Sequence, residues 1–461
     1  MQRITAIFPL GLLLVACGDV SEGSAGSDTA GSDTAGSDTA GSSTTGEAAA
    51  VTYWRDVKAV LDAKCVGCHS PGNLAPFSLA SYADASAVAS ALPASLEAGT
   101  MPPWPPDAAC GTYLHDRSID DDARQLVLDW VELGAPEGDP ADAPPPAQAP
   151  EPIAFDIDLQ LPEPYTPTIA PDEYRCFLMP WPEEAETFVT ALSVTPGERQ
   201  IVHHVIAFAI PPDQAEAYRA LDEADPDPGY LCYGGPSGGK INDGRVPWLG
   251  AWVPGGAPGD MPEGTGIKVQ PGSLVAVQMH YHTYPGAGPD QSRIQIRTAA
   301  SVDRVAVMMP FTNPAWVQGS EPMLIPAGEA GVVHSFAADV SNYLPLLFPD
   351  GGLQAGDPFV VHAAALHMHT RGVRGSLGLT GGQDTCLLDI PRWDFNWQGS
   401  YQLTAPVTVR PGDKLRLECE WDNTAENQPV ENGVQQQPKD ILWGEGTGDE
   451  MCLGIVYVTG T

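Results

Sequence analysis

The stretch Phe359-Val360-Val361-His362-Ala363-Ala364-Ala365-Leu366-His367-Met368-His369-Thr370-Arg371-Gly372 decides how this chain is read. From Phe359 to Leu366 it is an apolar run with the look of a buried strand. Side chains alternate along a strand, so His367 and His369 leave the same face, their roots about 7 Å apart. Two imidazoles side by side on a rigid element suit a late first-row metal ion. Three other clusters point the same way: His203-His204, His280-Tyr281-His282 and Cys65-Val66-Gly67-Cys68-His69.

Outward from that strand, residues 153–461 read as short strands between Gly, Pro and Asp turns, with a helical pattern only around 213–223. The chain holds 49 Gly and 46 Pro, and only 18% of its residues are charged, which favours β-rich architecture over long surface helices. The expectation is a β-sandwich fold. Gln200–Phe208 is one strand of it, and on a flat strand His203 and His204 would face opposite ways. A bulge or local twist is needed to aim both at one metal. On the strand Leu274–His282, residues Gln278, His280 and His282 share a face, so geometry alone pairs His280 with His282.

Residues 1–16 read as a secretory signal, with Arg3 followed by an apolar core. Leu14-Val15-Ala16-Cys17 resembles a bacterial lipobox, which makes Cys17 the lipidated first residue of an exported, membrane-anchored lipoprotein. Residues 17–50, with GSDTA repeated across 26–40, form a flexible tether. Elsewhere no stretch reaches the roughly 20 apolar residues of a spanning helix. A net charge of −37 argues against nucleic acid and anionic membrane as partners. In an oxidising compartment, disulfides are expected among Cys110, Cys176, Cys232, Cys386, Cys419 and Cys452.

Near the N-terminus, Tyr53, Val57, Val60 and Leu61 form a helical stripe running into Cys65-Val66-Gly67-Cys68-His69. This is the attachment motif of c-type haem, in which two thioethers hold the porphyrin and the histidine ligates iron. Met101, in a proline-rich loop, is the expected second axial ligand, with His115 as its rival. A last helix is expected from a cap at Ser118, with core positions Ile119, Ala123, Leu126, Val127 and Trp130, and Gly134 as its stop. Residues 51–138 resemble a class I cytochrome c, an all-α electron-transfer domain. A proline-rich linker, 139–152, follows.

Residues 171–461 resemble the catalytic core of the copper type II, ascorbate-dependent monooxygenases, the family of peptidylglycine alpha-hydroxylating and dopamine beta-monooxygenases. DEYRCF (172–177), VHHV (202–205), QMHYHT (278–283), LHMHTRG (366–372) and GDEMC (448–452) occur in the family's order. The resemblance implies one copper on His203, His204 and His280, with no ligand role for His282. It implies a second on His367, His369 and Met451, the sites lying on two jelly-roll-like sandwich domains, here 153–300 and 301–461. It also implies disulfides Cys176–Cys232 and Cys419–Cys452, leaving the state of Cys110 and Cys386 open. Ala365 and Ile455 stand where the peptide-amidating branch carries an arginine and a tyrosine for the substrate carboxylate, so a peptide C-terminus is not the expected substrate. No amine-binding set replaces them, so a catecholamine is not expected either.

The function expected is a dicopper monooxygenase that hydroxylates a small organic molecule with O2. Its reductant would be ascorbate or a redox protein. The fused haem would deliver single electrons to the His203/His204/His280 copper. The competing expectation is a haem and copper lipoprotein that carries electrons or metal without catalysis.

Overall fold

The computed structural model describes residues 50–461 apart from 72–74, 146–152, 171, 242–245, 254–258, 284–286, 348–352, 432–433, 445 and 447. The export signal 1–16, Cys17, the tether up to residue 49 and residues 146–152 of the proline-rich linker lie outside the described residues. No described helix is long and apolar enough to cross a membrane.

The first part is a small helical unit. A π-turn, Tyr53–Val57, runs into α1 (Lys58–Lys64), followed by α2 (Tyr82–Val88), α3 (Leu92–Glu97) and α4 (Asp121–Glu132). Tyr53, Val57 and Leu61 recur at helical spacing and pack with Val127 and Trp130 of α4 in a core of their own. The cap of α4 is Asp120, whose carboxylate accepts the Ala123 N–H at 2.7 Å, and not Ser118 as the sequence suggests. Ser118 instead sits in a turn with its N–H on Asp116 Oδ1 (2.7 Å). Gly134, at φ +82°, ends the helix in the left-handed conformation that a residue without Cβ adopts freely.

The rest is mostly β-sheet. Its first half runs β1 (Ile157–Gln160), β2 (Asp172–Pro180), β3 (Thr187–Thr195), β4 (Val202–Ile210), β5 (Tyr230–Leu231), β6 (Trp248–Trp252), β7 (Thr265–Val269), β8 (Leu274–His282) and β9 (Arg293–Ala299). The helix α5 (Ala215–Ala224) falls where the sequence pattern puts it. The second half runs β10 (Arg304–Phe311), β11 (Ala330–Ala338), β12 (Phe359–His367), β13 (Gly372–Thr380), β14 (Thr385–Ile390), β15 (Ser400–Val409), β16 (Lys414–Asp422), the short antiparallel pair β17 (Val430–Glu431) and β18 (Val434–Gln435), and β19 (Leu453–Gly460).

One eight-stranded sheet, ordered β1-β9-β3-β7-β10-β19-β12-β15, runs through both halves. The join is the parallel pair β7–β10, with Thr265 opposite Arg304. The five-stranded sheet β5-β2-β8-β4-β6 accompanies the first half, and the four-stranded sheet β11-β16-β13-β14 the second. Two main apolar clusters follow the two halves, with Ala306, Ala363 and Tyr457 of the second half packed into the first, and the two sandwiches share one continuous sheet across residue 300. The buried run that opened the reading is β12, held between β19 and β15, and this interior position explains its unbroken apolar character.

Disulfides close Cys176–Cys232 and Cys419–Cys452, the pairs the resemblance implies. The two cysteines left open pair with each other, Cys110–Cys386, across 276 residues of sequence.

Candidate functional site

The first histidine cluster is built by β4 and β8, which pair with His204 opposite His280. Between Val202 and His204 the register shifts, leaving His203 as the extra residue of a bulge. That bulge resolves the alternation problem and lets both vicinal imidazoles face one point. Nδ1 of His204 lies 3.3 Å from Nδ1 of His203 and 3.2 Å from Nδ1 of His280. The coordinating nitrogens of the three histidines all lie within 4.8 Å of one another.

Asp172 on β2 orients this cluster. The Nε2–H of His280 donates to Asp172 Oδ1 at 3.0 Å, which turns the Nδ1 lone pair inward. The same oxygen receives the Nδ1–H of His282 at 3.0 Å, and His282 stays outside the cluster although it shares a strand face with His280. Tyr174 stacks on the His280 ring, 4.1 Å between centroids and 9° from parallel. Burial holds His203 down to about 3 and His204 well below the usual imidazole range, with the His280 ring adding to both shifts. Neutral imidazole is the form that binds a metal ion.

The second cluster starts at the end of β12. His367 and His369 have ring centroids 5.1 Å apart, steeply inclined to one another. The Nδ1–H of His367 donates to Gln398 Oε1 (2.6 Å), and that of His369 donates to the Asp449 carbonyl (3.0 Å). Each ring therefore keeps Nε2 for a ligand. Burial also keeps both neutral, His369 at about 3. Glu450, fully buried, accepts the backbone N–H of His369 (2.9 Å) and of Arg371 (2.7 Å), and the indole N–H of Trp421 (2.9 Å). It pins the histidine loop to the segment that carries Met451. Burial against those donors still pushes the Glu450 carboxyl up to about 7.

Met451 lines one cavity of about 270 Å³ together with His367, His369 and His204. Between the clusters stands Phe395, stacked on His203 at 5.1 Å and meeting His369 edge-on at 6.1 Å. Apolar groups such as Ile206, Trp252 and Met308 make up much of the wall, and among the described lining residues none is charged. Ala365 and Ile455, opposite one another on β12 and β19, are both in that wall. The residue set fits copper. Three neutral imidazoles already converge at one point, and two more share a cavity with a soft thioether.

In the helical unit, Cys65 and Cys68 are free thiols on the turn that ends α1, and His69 N–H closes that turn on the Cys65 carbonyl (2.9 Å). The His69 Nδ1–H donates to Phe77 O at 3.2 Å, leaving Nε2 available. Unpaired thiols at this spacing beside an oriented imidazole fit a covalently attached haem. Met101 comes from the loop after α3, its N–H on Ser95 O (3.3 Å). Its rival His115 is exposed and follows a segment bridged to β15.

Reading the sequence missed Asp172, Gln398, Phe395 and Glu450. Asp172 and Glu450 lie inside quoted motifs, but a carboxylate that orients a histidine leaves no spacing signal of its own.

No curated protein matches the chain. Among solved structures, the major capsid protein P2 from Bacteriophage PM2 is similar at 11% identity over 66% of this chain and 97% of that one, with a TM-score of 0.21 that carries no argument. Residues 348–459, which contain His367, His369 and Met451, match the family model described as copper type II ascorbate-dependent monooxygenase, C-terminal domain. Copper-dependent monooxygenase chemistry is thereby supported for this chain at the level of that family.

Proposed function

We propose that this chain hydroxylates a C–H bond of a small, uncharged, largely apolar molecule, using O2 and two copper ions. His203, His204 and His280 hold one ion, and His367, His369 and Met451 the other. The observation that carries this reading is one cavity, with no charged residue among its described lining residues, that has histidines of both clusters in its wall. Bound copper supplies one-electron redox chemistry and the activation of dioxygen. The reaction consumes two electrons and two protons beside substrate and O2, and it yields one alcohol and one water.

The chain's own part is orientation. Asp172 holds the His280 tautomer, while Gln398 and the Asp449 carbonyl hold those of His367 and His369. Ala365 and Ile455 give the wall an apolar surface, which suits a substrate without a carboxylate. The electrons come from ascorbate or a redox protein, and we extend the proposal to a haem on Cys65, Cys68 and His69, with Met101 as second axial ligand. Export and a lipid anchor on Cys17 complete it.

The test is metal analysis followed by turnover. Two copper ions per chain are expected, with oxygen uptake under ascorbate matched by an alcohol carrying one atom from labelled O2. Copper bound without any hydroxylated product from a panel of neutral apolar substrates would make the chain a carrier of metal or electrons instead.

A further inference from the structure

The helical unit is clamped to the second sandwich, the one that carries His367 and His369. The Cys110–Cys386 disulfide ties the two covalently. Around it, Asp107 N–H donates to Asp389 O and Leu114 N–H to Gln402 O, both at 2.8 Å, and Thr404 N–H donates to Thr112 O at 3.1 Å. The Trp104 ring meets Tyr401 edge-on at 5.4 Å.

From this joint a chain of bonds leads to the second cluster. The Arg392 guanidinium donates to the carbonyls of Ala98 (2.8 Å) and Gly99, just before Met101 in the sequence. Its neighbour Trp393, almost wholly buried, donates its indole N–H to the His369 carbonyl at 3.0 Å. The Met101 loop thus reaches the backbone of a candidate copper ligand through two hydrogen bonds, the Arg392 and Trp393 side chains and the peptide link between them. His203, His204 and His280 belong to the other sandwich, and the described path to them from Trp393 takes two further peptide links and the ring of Phe395, stacked on His203 at 5.1 Å.

We propose that electrons pass from the helical unit to the His367/His369/Met451 side of the cavity, across Gly99, Arg392 and Trp393. The route rests on the function proposed above, with haem on Cys65, Cys68 and His69 and copper at both clusters. It reverses the destination that the sequence suggests. One electron crosses per event. The haem iron goes from ferrous to ferric as copper on that side goes from cupric to cuprous, and no proton or heavy atom moves. An external one-electron donor, ascorbate or a reduced redox protein, restores the ferrous haem.

Arg392 and Trp393 are positioning residues, and the test reads the haem and not turnover. The full chain, loaded with haem and cupric ions under anaerobic conditions, receives a flash-generated one-electron reductant. Haem absorbance and the cupric resonance signal are then followed in time. Trp393→Phe keeps a buried ring but removes the indole N–H. Arg392→Ala, at the surface, covers the case in which the first variant folds poorly. Both should slow haem reoxidation severalfold with metal and haem contents unchanged, and His367→Ala should abolish the fast phase while His203→Ala preserves it. Unaltered kinetics in both junction variants, or a fast phase that survives His367→Ala and vanishes in His203→Ala, would overturn the route. Failure of the underlying function is seen separately, as a chain without haem absorbance or without copper before any kinetics are run, and it removes the route too.

Discussion

The two histidine clusters face one cavity yet are assembled in opposite ways. His203, His204 and His280 come from neighbouring strands of one sheet and converge through their Nδ1 atoms. His367 and His369 come from a single strand end, spend Nδ1 on Gln398 and the Asp449 carbonyl, and keep Nε2 for a ligand. The first site is complete within its own sheet. The second depends on a loop, 449–452, that Glu450 and the Cys419–Cys452 disulfide must hold in place. Under the function proposed above, three imidazoles at one site and two imidazoles with a thioether at the other suit a division of labour between cycling oxidation states and favouring the reduced one.

That contrast can be broken outright at His280. Its replacement by alanine should remove one of the two copper ions and all hydroxylation, while the copper at His367 and His369 keeps its spectroscopic signature. Loss of both ions would show that the clusters are not independent.

The next largest effect is expected at the joint. Cys110→Ala combined with Cys386→Ala should cost about 2–5 kcal/mol through the freed loop. Thermal unfolding followed at the two coppers should show disturbance at the second cluster first, since only that sandwich carries the disulfide.

A finer comparison sets Asp172→Asn against Gln398→Leu. Partners that fix a ligand histidine typically contribute roughly 10–100-fold in metal affinity. Asp172→Asn should weaken copper at the first cluster alone, and Gln398→Leu at the second alone, as read by competition with a calibrated chelator. Equal weakening at both sites in either variant would mean that the partners act on the fold and not on the tautomer.

Glu450→Gln should have the smallest effect. It places an amide N–H among three N–H donors, which costs about 1–3 kcal/mol. Denaturant unfolding should report that loss, with the second copper spectrum altered and the first unaltered.

Much of the site was legible because periodicity is local. The HxH spacing brings the ring of His369, two residues past the end of β12, within 5.1 Å of that of His367, the strand's last residue, and the buried run before it marks an interior strand. The stripe Tyr53, Val57, Leu61 likewise announces its helix face. Where local signals compete, reading fails. Ser118 and Asp120 are both good caps, and only the geometry of the preceding turn chooses Asp120. The same face of β8 offers His280 and His282, both bonded to Asp172, and only the pairing of β8 with β4 separates them, since His280 is buried opposite His204 while His282 ends the strand exposed.

By itself, the sequence determined which residue types stand at which spacing: the vicinal histidines, the HxH pair, the methionine beside a cysteine, and CxxCH after a helix. Tertiary structure alone decided the bulge that turns His203 beside His204, the parallel β7–β10 join that makes one sheet of two halves, and the Cys110–Cys386 bond that seats the helical unit. The physical reason is one of range. Side-chain direction along an element follows from backbone repeat, but register between strands and the meeting of distant cysteines are set by packing over the whole molecule.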